Sequence, residues 1–94
     1  MISSAALYLV KDKVSGQTGE IMHASNDAAI KRTFDRLFSA DKHNFLIRDL
    51  EVFRFADLKF FERDPFPVVE TLKNPVCILS GADYFEEIKE SDSE

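Results

Sequence analysis

The chain has 94 residues, of which 45% are hydrophobic, and its 17 acidic and 12 basic side chains give a formal net charge of −5 at pH 7. This length allows one hydrophobic core but not two, and this hydrophobic content excludes an intrinsically disordered chain. The acidic balance argues against general polyanion binding, which requires clustered Lys and Arg.

The first predicted elements are two strands joined by a turn. The segment AALYLVKDK (5–13) is rich in strand formers and alternates two sets of side chains. VSGQTGE (14–20) holds two of the three glycines, which is typical of a hairpin tip. EIMHA (20–24) is the predicted return strand.

SNDAAIKRTFDRLFS (25–39) has the clearest helix signature. Ser25 or Asn26 can accept hydrogen bonds from the first backbone N–H groups, and Asp27 suits the positive end of the helix dipole. The core-facing stripe, at the i, i+4, i+7 and i+8 spacing of an amphipathic helix, consists of Ile30, Phe34, Leu37 and Phe38. The opposite arc carries Lys31, Arg32, Asp35 and Arg36.

LEVFRFADL (50–58) alternates two unlike sets of side chains and is predicted as a strand. Two interpretations of its aromatic residues stay open. If Tyr8, Phe53 and Phe55 share an open sheet face, DNA bases can stack on them. If the helix covers the face that carries Phe53 and Phe55, these rings belong to the core, and this is the arrangement that we expect.

The C-terminal part continues the sheet. KFFERDPFPVVE (59–70) contains two prolines and is predicted as a long connection with an extended edge piece. NPVCILSGAD (74–83) is predicted as a buried strand, in which Cys77 is a buried thiol. DYFEEIKE (83–90) has the pattern of one or two helical turns.

Together these elements predict an α+β fold, a small antiparallel β-sheet in the order β-β-α-β-β with one amphipathic helix packed on one face. A short C-terminal helix stays open. Residues 1–90 are expected to form a single domain, and residues 91–94 an acidic disordered tail. A lone cysteine and an apolar N-terminal stretch too short for a membrane span or signal region lead us to expect a soluble intracellular protein.

The sequence holds few of the patterns that catalysis or metal binding requires. His23 and His43 lie in no HxxxH or HExxH spacing, and Cys77 has no neighbouring base to activate it. Gly16 and Gly19 are not followed by the GK[ST] of a phosphate-binding loop. We therefore predict that the protein is not an enzyme and has no cofactor and no metal site.

Two sets of residues are candidates for binding. Nucleic-acid contacts are predicted at Lys11, Lys13, Arg32, Arg36 and Arg54. The alternative for the two helix arginines is that they are plain solvated charges. Nine phenylalanines are more than the core of a 94-residue domain can readily bury. An apolar interaction surface is therefore predicted at Phe60, Phe61 and Phe66.

Four short motifs, in their order and spacing, resemble a known family. They are the turn DKVSG (12–16), the helix start NDAAIKRTF (26–34), the central strand DLEVFRF (49–55) and the end GAD (81–83). Together they are similar to the small nonstructural protein of gokushoviruses, which are microviruses (Microviridae) with circular single-stranded DNA genomes. The resemblance extends over roughly two thirds of the chain. The proline-broken segment 57–69 departs from the family pattern.

The resemblance implies a phage nonstructural protein of the host cytoplasm that is associated with single-stranded DNA synthesis or packaging and binds single-stranded DNA weakly. Its implied partners are single-stranded DNA and viral replication or capsid proteins. The alternative, which the acidic charge favours, is a homo-oligomeric interaction module that contacts replication or capsid proteins without touching DNA. A homo-oligomer is expected in either case, and no membrane association.

Overall fold

The computed structural model of the protein describes residues 2–86. Its elements in chain order are β1 (Ile2–Asp12), β2 (Thr18–Ala24), α1 (Asp27–Ala40), α2 (Phe45–Arg48), β3 (Leu50–Phe61), β4 (Val68–Ser80) and a 3-10 turn (Gly81–Asp83). The four strands form one antiparallel sheet in the order β2-β1-β3-β4. The predicted α+β class is confirmed. The predicted tail 91–94 and residues 87–90 of the predicted C-terminal helix lie outside the described residues.

β1 and β2 form the predicted hairpin. The Asp12 carboxylate closes its turn by accepting hydrogen bonds from the backbone N–H groups of Ser15 at 3.2 Å and Val14 at 2.9 Å. These two bonds lower the pKa of the Asp12 carboxyl, because they stabilise its charged form. Gly16 has a φ of +78°, in the left-handed region that favours glycine.

Helix α1 begins as its sequence predicts. The Asn26 side chain accepts a hydrogen bond of 2.9 Å from the backbone N–H of Ala29, which satisfies one of the free donors at the helix start. Three residues of the predicted stripe are buried against the sheet: Ile30, Phe34 and Phe38. The helix therefore covers one face of the sheet with its apolar side.

The fourth residue of the predicted stripe, Leu37, is 54% exposed, so its expected burial is wrong. The reason is the angular position of Leu37 around the helix axis. Ile30 and Phe38 lie about 40° on either side of Phe34 around the helix axis, whereas Leu37 lies about 60° away. Leu37 is thus at the margin of the stripe and faces solvent.

The hydrophobic core lies between α1 and one sheet face. It consists of Ala6, Tyr8, Ile30, Phe34, Phe38, Ile47 and Val52. Tyr8 and Val52 are fully buried, each with 0% of its surface exposed. The ring of Phe38 packs between Phe34 and Tyr84, with centroid distances of 5.6 Å to each. Tyr8, considered above for an open sheet face, is therefore a core residue.

The strand register assigns the aromatic residues of β3 to the face opposite the helix. Direct cross-strand partners share a face, and Phe53 pairs with Leu9 on one side and Cys77 on the other. Val52, the next residue along the strand, is in the helix-covered core. The expectation that Phe53 and Phe55 point toward the helix is wrong, and so is the burial of Cys77, which is exposed.

The sheet extends beyond the helix-covered core, as the strand pairing shows. β2 stops at Ala24, opposite Ala6 of β1. Past this point β1, β3 and β4 continue without β2 into what we call the distal arm, residues 2–5 and 58–70. No residue of the distal arm belongs to the hydrophobic core cluster of the described chain.

Candidate functional site

The four cations predicted on β1 and α1 lie on two opposite sides of the sheet. Arg32 and Arg36 are exposed on the outer side of α1, beside Leu37. Within residues 2–86 neither forms an ion pair with a carboxylate. Lys11 lies on the side away from the helix, and Lys13 follows β1 at the same end. One flat ligand therefore cannot contact both pairs.

Arg54, the fifth predicted cation, lies on the helix side and is engaged by two carboxylates. Its Nη1 is 3.3 Å from Asp57 Oδ1, and its Nε is 3.8 Å from Asp27 Oδ1. The Tyr8 hydroxyl donates a hydrogen bond of 2.7 Å to the same Asp27 oxygen. Burial, and then this hydrogen bond, raise the pKa of Tyr8, because both favour its neutral form. The cluster ties the start of α1 to the sheet, and the two carboxylates weaken the attraction of Arg54 for phosphate, although its Nε makes no hydrogen bond.

A cavity of about 590 Å³ opens beside this cluster, between the start of α1 and the sheet. Its charged lining combines two carboxylates, Asp27 and Asp57, with two cations, Arg54 and Lys59. Lys59 is itself paired with Glu70 at 2.9 Å. Because the charges are balanced and largely engaged with each other, the cavity selects neither an anionic nor a cationic ligand.

The sheet surface opposite α1, which we call the helix-free face, is apolar and uncovered by any described element. Its centre is a shallow groove of about 340 Å³, lined by Leu9, Lys11, Thr18, Phe53, Phe55 and Pro75. Both phenylalanine rings are half-buried by their neighbours, and Ile21, the cross-strand partner of Leu9, is 63% exposed. A planar, weakly charged group can lie against this surface.

The charge on the helix-free face is small. Lys11 reaches the groove at one end, and its cross-strand partners are Thr18 and Glu51. Lys13 is held near this end by a backbone hydrogen bond of 2.9 Å to Asp49. The adjacent Glu51 carboxylate weakens the local positive potential.

The three phenylalanines predicted as an interaction surface all belong to the distal arm. Phe60 is 40% exposed, Phe61 is 36% exposed and Phe66 is 79% exposed. Their neighbours Val68 and Val69, which were not predicted as part of this surface, are 44% and 55% exposed. The signal for them was present, because a Val-Val pair directly after a proline is typical of an edge strand.

The described residues contain no group of three or more His, Cys, Asp or Glu side chains arranged to hold a metal ion. Within the same range, no helix has the length and apolar character that crossing a membrane requires. No protein-family model matches the chain, and neither a curated protein nor a solved structure is significantly similar to it. The likeness to gokushovirus proteins therefore rests on the sequence motifs alone.

Proposed function

We propose that the protein is a non-enzymatic nonstructural protein of a single-stranded DNA phage, associated with genome synthesis or packaging, and that it binds single-stranded DNA weakly on its helix-free face. The observation that carries this proposal is the position of Phe53 and Phe55 beside Lys11, on a sheet face that no described element covers. The phage origin comes from the sequence resemblance.

Stacking of bases on the aromatic rings supplies the main attraction. A base that stacks on an aromatic side chain contributes on the order of 1–3 kcal/mol. Phe53 and Phe55 lie in the same strand and line the same groove, so they can contact neighbouring nucleotides. Because paired bases in a duplex already stack on each other, the groove favours single strands over double strands.

Phosphate contacts come from the two lysines at one end of the groove. Lys11 lines the groove itself, and Lys13 extends from the end of β1. The other predicted cations are outside this footprint, since Arg32 and Arg36 lie beyond the helix and Arg54 pairs with Asp27 and Asp57. With two cations and a neighbouring carboxylate, the affinity is low.

Fluorescence anisotropy with labelled single- and double-stranded oligonucleotides tests the proposal. Phe53→Ala and Phe55→Ala should each weaken single-strand binding about five-fold or more, from the loss of one stacked base. Phe45→Ala is the matched control, because Phe45 is a 61% exposed phenylalanine outside the groove, and its loss should leave binding unchanged. Circular dichroism verifies that each variant is folded. Equal binding by all three variants and the parent protein would refute the stacking site.

A homo-oligomeric module remains the second candidate, and a separate observation favours it. The apolar side chains of the distal arm are exposed away from the groove. Self-association through the arm is compatible with DNA binding, because it leaves the groove open and doubles the number of lysines that face a long strand.

A further inference from the structure

We propose that a second copy of this chain pairs with the distal arm through the first half of β4, residues Val68–Thr71, so that the two sheets continue into each other. The proposal uses no residue of the DNA groove and does not depend on the proposed function. It names the partner, the strand and the register of the contact.

The distal arm lacks the cover that a small sheet needs. Strands in water are stable when one face packs against a hydrophobic layer, and an isolated ribbon is marginal. Among the described side chains of the arm Leu58 alone is buried, none belongs to the core cluster beneath α1, and β2 has ended. Five apolar side chains are exposed there: Phe60, Phe61, Phe66, Val68 and Val69.

The two halves of β4 differ in how they protect the sheet edge. β4 is the outermost strand on its side, so one row of its backbone groups faces away from β3. Its second half has the usual protection against pairing, namely an irregular register between Thr71 and Val76 and the residues Lys73 and Pro75. This half is unsuited to accept another strand.

The first half of β4 lacks the irregular register and the lysine of the second half, and its nearest proline, Pro67, precedes the strand. Its residues pair in regular register with β3, from Val68 opposite Lys59 to Thr71 opposite Ala56. Its one charge, Glu70, is paired with Lys59 at 2.9 Å. This edge is four residues long, is in regular register with β3 and has its one charge paired, so its outward backbone groups can pair with another strand.

The partner that fits this edge is the same edge of a second copy. An antiparallel strand pair about a two-fold axis is self-complementary, and the edge offers no net charge that would select an acidic or basic partner. A register centred on Val69 places Val69 opposite its own copy and Glu70 opposite Val68. This register avoids facing the two Glu70 carboxylates toward each other.

The apolar area is sufficient for a weak dimer. Taking roughly 150–250 Å² for a whole aromatic side chain, the exposed parts of the three phenylalanines come to about 300 Å² per copy. Because Phe60 and Phe61 are consecutive in β3 and point to opposite sheet faces, a strand pair in the sheet plane buries only part of this area, and the interface lies below the about 1,000 Å² at which specific interfaces begin. Interfaces of this size are typical of weak, transient complexes.

Sedimentation of the full-length protein without DNA tests the dimer. The dimer fraction should rise across micromolar concentrations and change little with salt. Val69→Lys should abolish it, whereas Val14→Lys, the same substitution at a 74% exposed valine remote from the arm, should not. A monomer at all concentrations up to the millimolar range would overturn the proposal, and so would unchanged dimerisation of a folded Val69→Lys variant.

Cross-linking tests the register. In a Cys77→Ser background, Val69→Cys should form an intermolecular disulfide under mild oxidation, because residues directly opposite each other across strands have Cα atoms about 5 Å apart. Thr71→Cys is the control, since in this register the two Thr71 Cα atoms would be about 13 Å apart along the strands. Equal cross-linking at both positions, or none at Val69→Cys, would overturn the paired-edge geometry.

Discussion

The salt dependence of the proposed single-strand binding is set by the cations that lie on the same surface. The sequence predicts five DNA-binding cations. In the structure only Lys11 and Lys13 of these five lie beside the groove, whereas Arg32 and Arg36 lie on the far side of the helix. Neutralising each pair separately distinguishes the two footprints. The variants are Lys11→Gln plus Lys13→Gln, and Arg32→Gln plus Arg36→Gln, which make the same change in net charge.

The expected magnitude follows from counterion release. For single strands the logarithm of the binding constant falls with the logarithm of salt concentration with a slope of about −0.7 per neutralised phosphate. Two lysines therefore predict a slope near −1.4, so that a four-fold rise in salt weakens binding about seven-fold. Five cations would predict a slope near −3.5 and a loss of about 130-fold over the same range.

The assay is anisotropy with one labelled single-stranded oligonucleotide, titrated at several salt concentrations from about 50 to 200 mM, where screening removes long-range charge effects. The lysine variant should have a slope near zero, and the arginine variant should keep the parent slope. A parent slope close to −3.5, or a slope that falls in the arginine variant, would refute the assignment of DNA to the helix-free face.

Three further predictions concern stability. Phe34→Ala, which empties a core position that is 7% exposed, should cost about 3–5 kcal/mol in urea unfolding, and a cost below about 1 kcal/mol would contradict the packing of α1 on the sheet. Burial and the hydrogen bond to Asp27 raise the pKa of Tyr8, so the contribution of Tyr8 to stability is complete below its usual pKa near 10 and is lost as the pH rises above that value. Tyr8→Phe should therefore reduce the loss of folding stability between about pH 9 and 11. An unchanged dependence of stability on pH in this variant would contradict the argument. Gly81→Ala should destabilise the fold by about 1–3 kcal/mol, because the added Cβ would overlap the backbone carbonyl of Ile47, and a neutral effect in the same unfolding assay would mean that the two segments are not in close contact.

Local patterns were sufficient for the hairpin and for helix α1, but not for α2 or for the connection predicted at 59–70, of which 59–61 belong to β3 and 68–70 to β4. The hairpin, the helix start at Asn26 and the burial of Ile30, Phe34 and Phe38 follow from signals within a few residues of each other. Capping side chains and the spacing of apolar residues act over one or two helical turns, so a helix start and its buried face can be predicted from the local sequence. The clustering of Phe60, Phe61 and Phe66 at one end was likewise accessible, because they flank one short connection.

What the sequence by itself determined about this protein is therefore its hairpin, its main helix and its α+β class. Only the tertiary structure decided which sheet face the helix covers, and with it the core position of Tyr8, the position of Phe53 and Phe55 on the opposite face and the exposure of Cys77. A strand of period two separates its side chains into two sets but does not say which set is covered, since that depends on where a distant helix returns. The engagement of Arg54 by Asp27 has the same origin, because segments far apart in sequence meet only in the folded chain.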